Sequence, residues 1–328
     1  KMSRHEKGRT FEERNSAVCF KYAGDAVEEL SAQGEDTEEV SERVKWIGFK
    51  NQFFSSVIIA KENFTSAKLQ SKDLKETTQK TFLKDMTADA SMEYSSASPV
   101  AASFDLFLGP NLYPLLSDYD EQLSSEEELD LTKLIPLGWT LFRWINTIII
   151  IPVFTFLGGF IENYGIIILL LTLFIKIILF PFTYKSYMSQ AKMRVLAPEI
   201  KEINDKYPGK ENAMVRQQKT MELYSKAGAS PFSGCLPMLL QMPILIAMFT
   251  FFPSCIELRG ESFLWAKDLS APDAIFSWDV QIPFISSTFG NHVSLFCLLM
   301  TVTNIIYTRI NMQNQAQTSS MPGMKMMM

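Results

Sequence analysis

Lys176 stands in the run GIIILLLTLFIKIILFPFTYK, Gly165 to Lys185, with only aliphatic and aromatic residues within three positions on either side. An ammonium at that depth costs on the order of 2.5–3.5 kcal/mol by insertion scales. The work open to it is electrostatic: it can hold positive charge and water where neither belongs. Thr172 lies four residues before it and Thr183 seven after it, so the three form one polar stripe of a helix. Snorkelling is the plain alternative. From Lys176 to Lys185 the helix rises about 13 Å, and one lysine stem covers only part of that.

Two further apolar runs carry matching polar groups. Gln241 is the lone amide side chain inside PFSGCLPMLLQMPILIAMFTFFP, and it either lines a wet interior or bonds a neighbouring helix. Thr301, Asn304 and Thr308 follow at offsets of 0, 3 and 7, one face of a helix. Three aligned polar residues in a span line a wet or shared interior more often than they face lipid. Chemistry of other kinds has no visible carrier. There is no nucleophile with its base, no phosphate-binding glycine loop and no metal cluster, so an enzyme is not expected. His5 and His292 have no ligand partner at metal spacing. Cys19, Cys235, Cys255 and Cys297 show neither metal nor disulfide spacing and read as small apolar side chains.

These groups need membrane helices to position them. About 20 apolar residues cover about 30 Å, the thickness of a bilayer core. Spans are expected over about 164–185, 231–253 and 292–310. Ser230 caps the second, Pro231 opens it, and Pro237 and Pro243 bend it. Residues 135–162 include Trp139, Phe142 and Trp144 with a thin polar side of Arg143 and Asn146. Pro152 and Gly158–Gly159 make a full crossing poor, so an interfacial amphipathic helix is favoured over a spanning one.

Between the first two spans, residues 185–228 hold nine Lys and Arg against five acids. That bias places the segment in the cytoplasm. Ile200, Ile203 and Tyr207, then Met214, Met221 and Tyr224 after the break at YPGK, recur at helical spacing. The pattern is an antiparallel helical hairpin, 186–228, with Lys192, Arg194, Lys201, Arg216 and Lys219 as its contacts. Residues 254–291 then form an external loop.

The first 134 residues differ in kind. Of the 328-residue chain, residues 1–136 carry 25 acidic and 16 basic side chains, and the remainder 11 and 15. SAVCFKY, VKWIGFKNQFFSSVIIA, TFLKDM and ASFDLFLG are short aromatic and β-branched runs between polar breaks, the signature of a β-sandwich. FKNQFF holds a turn at Lys50–Asn51, and SSEEELDL, Ser124 to Leu131, starts a helix.

LTLFIKIILFPFTYKSYMSQAKMRVLAPEIKEI, GCLPMLLQMPI and ELRGESFLWAKDLSAPD together resemble the YidC membrane-protein insertase family, across residues 135–312. WIGFKNQFF and FDLFLGP resemble, more loosely, the periplasmic β-sandwich of its Gram-negative branch. The resemblance implies an inner-membrane protein with a periplasmic N-terminal domain, no cofactor, and five core helices around a hydrophilic groove open to the cytoplasm. It implies a fragment lacking the first and the last two transmembrane helices. Lys176 matches the position where the family normally has arginine, which keeps the charge and loses the bidentate fork. The implied function is insertion and chaperoning of nascent membrane proteins, alone or with the Sec translocon. The implied partners also include the lipid bilayer and a ribosome or targeting factor at the hairpin. Two rivals remain: a transporter or channel with Lys176 in the substrate pathway, and a membrane-tethered binding sandwich, which leaves the intramembrane stripe unexplained.

Overall fold

The structure, a computed structural model, describes residues 2–3, 9–74, 82–93, 102–123, 128–209, 211–229, 236–278, 280 and 291–315. The chain divides into two compact units. One comprises residues 1–167 with 246–272, the other 168–245 with 273–328.

The first unit holds two antiparallel sheets. β2 (Ala17–Tyr22), β3 (Val27–Glu29), β5 (Val44–Lys50), β6 (Phe54–Phe64) and β9 (Phe104–Pro110) form one, in the order β3-β2-β5-β6-β9. β1 (Met2–Ser3), β4 (Glu35–Val40), β7 (Ser66–Asp73) and β8 (Phe82–Ser91) form the other, in the order β1-β8-β7-β4. Alternation drives the pairing: along β7, Ala67, Leu69 and Ser71 turn inward while Lys68, Gln70 and Lys72 stay out. Val18, Phe20 and Ile47 from one sheet share a core with Val40, Ala67 and Leu69 from the other. This is the expected sandwich. The hairpin between β5 and β6 turns one position later than FKNQFF suggested. Asn51 Oδ1 accepts from the amides of Phe53 (2.9 Å) and Phe54 (2.7 Å), which closes the turn over Asn51–Phe53.

Buried lysines pin the sandwich. Lys84 is fully buried and donates to the carbonyls of Ser16 and Ala32, both at 2.7 Å, with Asp73 Oδ1 at 3.7 Å. Lys50 is buried on Glu29 beside Cys19, whose thiol is pushed up to about 12 by burial and so stays protonated. α1 (Arg9–Arg14) precedes β2, and α2 (Tyr113–Leu123) follows β9. Ser124 lies outside the described residues. Beyond it, Leu131–Leu134 is a single 3-10 turn whose first two amides rest on the Asp120 carboxylate at 2.7 and 3.2 Å.

α3 (Thr140–Ile145), a π-helical stretch over Asn146–Ile150 and α4 (Ile151–Gly158) run on without a break. Together they make 19 residues, long and apolar enough to cross a membrane. The polar side expected to face headgroups does not do so at Asn146. That residue is fully buried and donates to Leu137 O and Thr250 Oγ1, each at 3.3 Å. Phe154 of α4 meets Phe251 edge-on at 5.4 Å and Tyr164 at 5.7 Å. The loop after Ser254 folds back on the same unit: the Phe263 ring fills the space over Gly165, where a β-carbon would lie 2.1 Å away. Gln52 donates to Pro253 O at 2.9 Å, and the Arg259 guanidinium lies 5.9 Å from the centre of the Phe53 ring.

The two long apolar helices cross from one unit into the other. α5 (Tyr164–Val195) is one helix of 32 residues, and α8 (Leu236–Ser254) one of 19. At about 1.5 Å per residue α5 is about 48 Å long, far more than a bilayer core, so its end stands in water. Within the second unit α6 (Ala197–Lys206) and α7 (Ala213–Lys226) form the expected hairpin. Ile200, Tyr224 and Ala229 make its small core with Met193, Leu196 and Leu223. Met214 and Met221 are exposed. A short ribbon of β10 (Ala274–Ser277) and β11 (His292–Ser294) leads into α9 (Leu295–Gln315), whose start is capped by Ser294 and Asp273. The apolar part of α9, Leu295–Ile310, is shorter than the other spans. By length and composition, 140–158 is also long enough to cross.

Candidate functional site

Lys176 and Gln241 meet. Lys176 Nζ donates to Gln241 Oε1 at 3.5 Å, across 65 positions of sequence and within the second unit. α5 explains why the lysine points where it does. Ile167, Leu171, Ile175 and Leu179 recur every fourth residue and are buried, which leaves Thr172 and Lys176 on an exposed face. Thr172 Oγ1 donates to Ile168 O at 2.8 Å, so its hydroxyl is spent on its own helix. Thr183 does the same with Leu179 O (3.1 Å) and Phe180 O (2.9 Å), just past Pro181, which interrupts the helix ladder. Of the stripe, Lys176 alone reaches a second helix. Gln241 is half-buried and offers its carbonyl oxygen to the ammonium, leaving the amide donors for another partner.

Thr301, Asn304 and Thr308 line one shallow concavity on α9 with Ile305 and Arg309, about 380 Å³ in volume. Thr301 Oγ1 donates to Cys297 O at 2.8 Å. Among the described residues none of the three bonds to Lys176 or Gln241. The helices approach each other further along, where Tyr187 of α5 lies close to Tyr307 of α9. The polar residues thus fall into two groups, a Lys176–Gln241 pair and an α9 wall, and not into one closed cluster.

On the hairpin, Lys192, Arg194, Lys201 and Lys219 are exposed and Arg216 is half-buried. Lys219 and Lys226 both pair with Glu222, at 3.0 and 2.9 Å. Those two ammonium groups hold the Glu222 carboxyl down to about 2. Lys219 is therefore partly committed within its helix, whereas Lys192, Arg194 and Lys201 are the freer cations.

Sequence reasoning missed the Asn146–Thr250–Leu137 node. Asn146 was visible as a polar residue in an apolar helix, but Thr250 and Leu137, 104 and 9 positions away, gave no sign of being its partners. The signal was there in the pairing of two polar residues on separate apolar helices. The arrangement offers cations, amides and hydroxyls on helices. Among the described residues there is no group of three His, Cys, Asp or Glu that could hold a metal.

The chain is similar to known proteins along its length. A family described as 60Kd inner membrane protein matches residues 156–328, and one described as YidC periplasmic domain matches residues 4–152. A protein of Parabacteroides distasonis named membrane protein insertase YidC is 56% identical over 329 residues, covering 100% of this chain and 51% of that protein. Proteins of the same name from Azobacteroides pseudotrichonymphae and Porphyromonas gingivalis are 50% and 47% identical, again over 100% of this chain, and over 54% and 52% of their own lengths. The chain spans about half the length of the curated relatives it matches.

Proposed function

Because the chain belongs to the YidC family of membrane-protein insertases, an inner-membrane family with a periplasmic domain at its N-terminal side, we propose that it passes polar tails of nascent membrane proteins into the bilayer along a hydrated groove. The observation that carries this reading is the Lys176–Gln241 pair. A cation and an amide joined across two apolar helices are costly in lipid and useful to a polar guest. Positive charge there holds water, which shortens the distance over which a substrate tail must leave it. A bound carboxylate is stabilised more strongly than it would be in bulk water. Nothing is made or broken covalently, so no catalytic residue is needed. We place the hairpin in the cytoplasm as the contact for a ribosome or targeting factor. The groove residues are Lys176, Thr172, Gln241, Thr301, Asn304 and Thr308, and the protein works alone or beside the Sec translocon. Residues 135–162 lie at the outer interface in this reading.

The test is reconstitution of the full-length protein in lipid vesicles. A short single-span substrate should insert without ATP, measured by protection from added protease. Flux of small solutes without insertion would replace this reading with that of a channel.

A further inference from the structure

We propose that Arg309 is a second, outer cation of the groove and that it takes the carboxylates of an incoming acidic tail before Lys176 does. The inference rests on the insertase reading above and names a residue that reading does not use.

Three observations support it. Arg309 lines the same concavity as Thr301, Asn304 and Thr308, so a guanidinium stands at one end of a wall of hydroxyl and amide groups. Among the described residues it has no ion-pair partner: Lys219 and Lys226 of α7 are tied to Glu222, but no carboxylate is set against Arg309. The approach of Tyr307 to Tyr187 fixes its depth. Tyr187 lies 11 residues beyond Lys176 on α5, about 16 Å of helix rise towards the hairpin. Tyr307 is two residues before Arg309. Arg309 therefore sits about three turns nearer the hairpin end than Lys176. From it the wall runs inward through Thr308 and Asn304 to Thr301, about 12 Å deeper.

That order suits a tail entering from the hairpin side. Guanidinium holds a carboxylate bidentately and stays charged in any surroundings, whereas the ammonium of Lys176 is a point charge further in. A cation at the rim acts mainly on capture, and its effect is screened by salt.

The experiment uses the full-length protein in vesicles with two single-span substrates, one with an acidic tail and one with a neutral tail. Arg309→Gln should slow insertion of the acidic-tailed substrate about 3- to 10-fold at low ionic strength, and that deficit should vanish near 0.5 M salt. The neutral-tailed substrate should be unchanged, and Arg309→Lys should keep most of the rate. Ile305→Glu, which sets a carboxylate four residues before Arg309 on the same wall, should give the same selective loss and serves if Arg309→Gln fails to accumulate. Equal loss for both tails, or no loss for the acidic one, would overturn the inference while leaving insertion by the unaltered protein, and so the insertase reading, intact.

Discussion

Asn146 is the residue whose environment most departs from its place in the sequence. An amide in an apolar helix is costly unless bonded, and here both bonds go to one corner where Thr250 also donates to Leu137 O at 3.2 Å. Its Oδ1 has no protein partner. The π-helical stretch begins at this residue, and such stretches often mark places where a helix has been bent to a purpose. Asn146→Ala with Thr250→Val forms a double-mutant cycle. The coupling should be about 0.5–1.5 kcal/mol, measured as the shift in unfolding free energy in detergent micelles. Coupling near zero would mean that the contact only fills space. Lys84 allows a harsher test. Lys84→Met removes the donor from two buried carbonyls and leaves Asp73 with one cation fewer, so it should destabilise the sandwich by about 3 kcal/mol. Faster hydrogen exchange of the β7 and β8 amides would register that loss.

The hairpin is the element whose chemistry is easiest to separate from the rest. Its two helices meet through Ile200 and Tyr224, while its outer faces carry cations and the exposed Met214. Deleting residues 190–226 should abolish insertion and leave the sandwich folded; full activity without them would show that the hairpin is only a linker. Acid provides a milder perturbation. The Glu222 carboxyl is depressed from 4.5 to about 2 in the folded helix, so its pairing with Lys219 and Lys226 is intact above pH 4.5 and lost as pH falls towards 2. Helix content of α7 should therefore hold from pH 7 to 5 and drop only below that. With Glu222→Gln, circular dichroism should not show that drop below pH 5.

At the scale of the whole molecule, what was legible followed from periodicity. The apolar runs gave α5 and α8, the basic stretch gave the hairpin, and offsets of 0, 3 and 7 gave the α9 wall. Alternation gave the sandwich, but strand order could not be read, because β6 pairs with β9 across the whole of β7 and β8. The Lys176–Gln241 contact was foreseen only as membership of one groove; the 65 intervening residues fixed nothing about distance. Pro152 stands within the continuous helix of 140–158, so proline alone did not reveal how far that helix runs.

Sidedness is a prediction at the same scale. Cys19 is buried and its thiol stays protonated, so it is a poor reporter. Lys267→Cys in the loop and Lys201→Cys on the hairpin are exposed positions. A membrane-impermeant thiol reagent added to cells with a permeabilised outer membrane should label the first and spare the second.

The central claim is that Lys176 serves by its charge. In the full-length protein, Lys176→Arg should insert an acidic-tailed substrate at close to the original rate, because charge and hydration are kept. Lys176→Met should lower that rate about tenfold, the factor that about 1.4 kcal/mol of lost stabilisation gives, and should affect a neutral-tailed substrate less. The insertion rate of the acidic-tailed substrate with Lys176→Met is the measurement that decides. A rate equal to that of the unaltered protein would contradict the account.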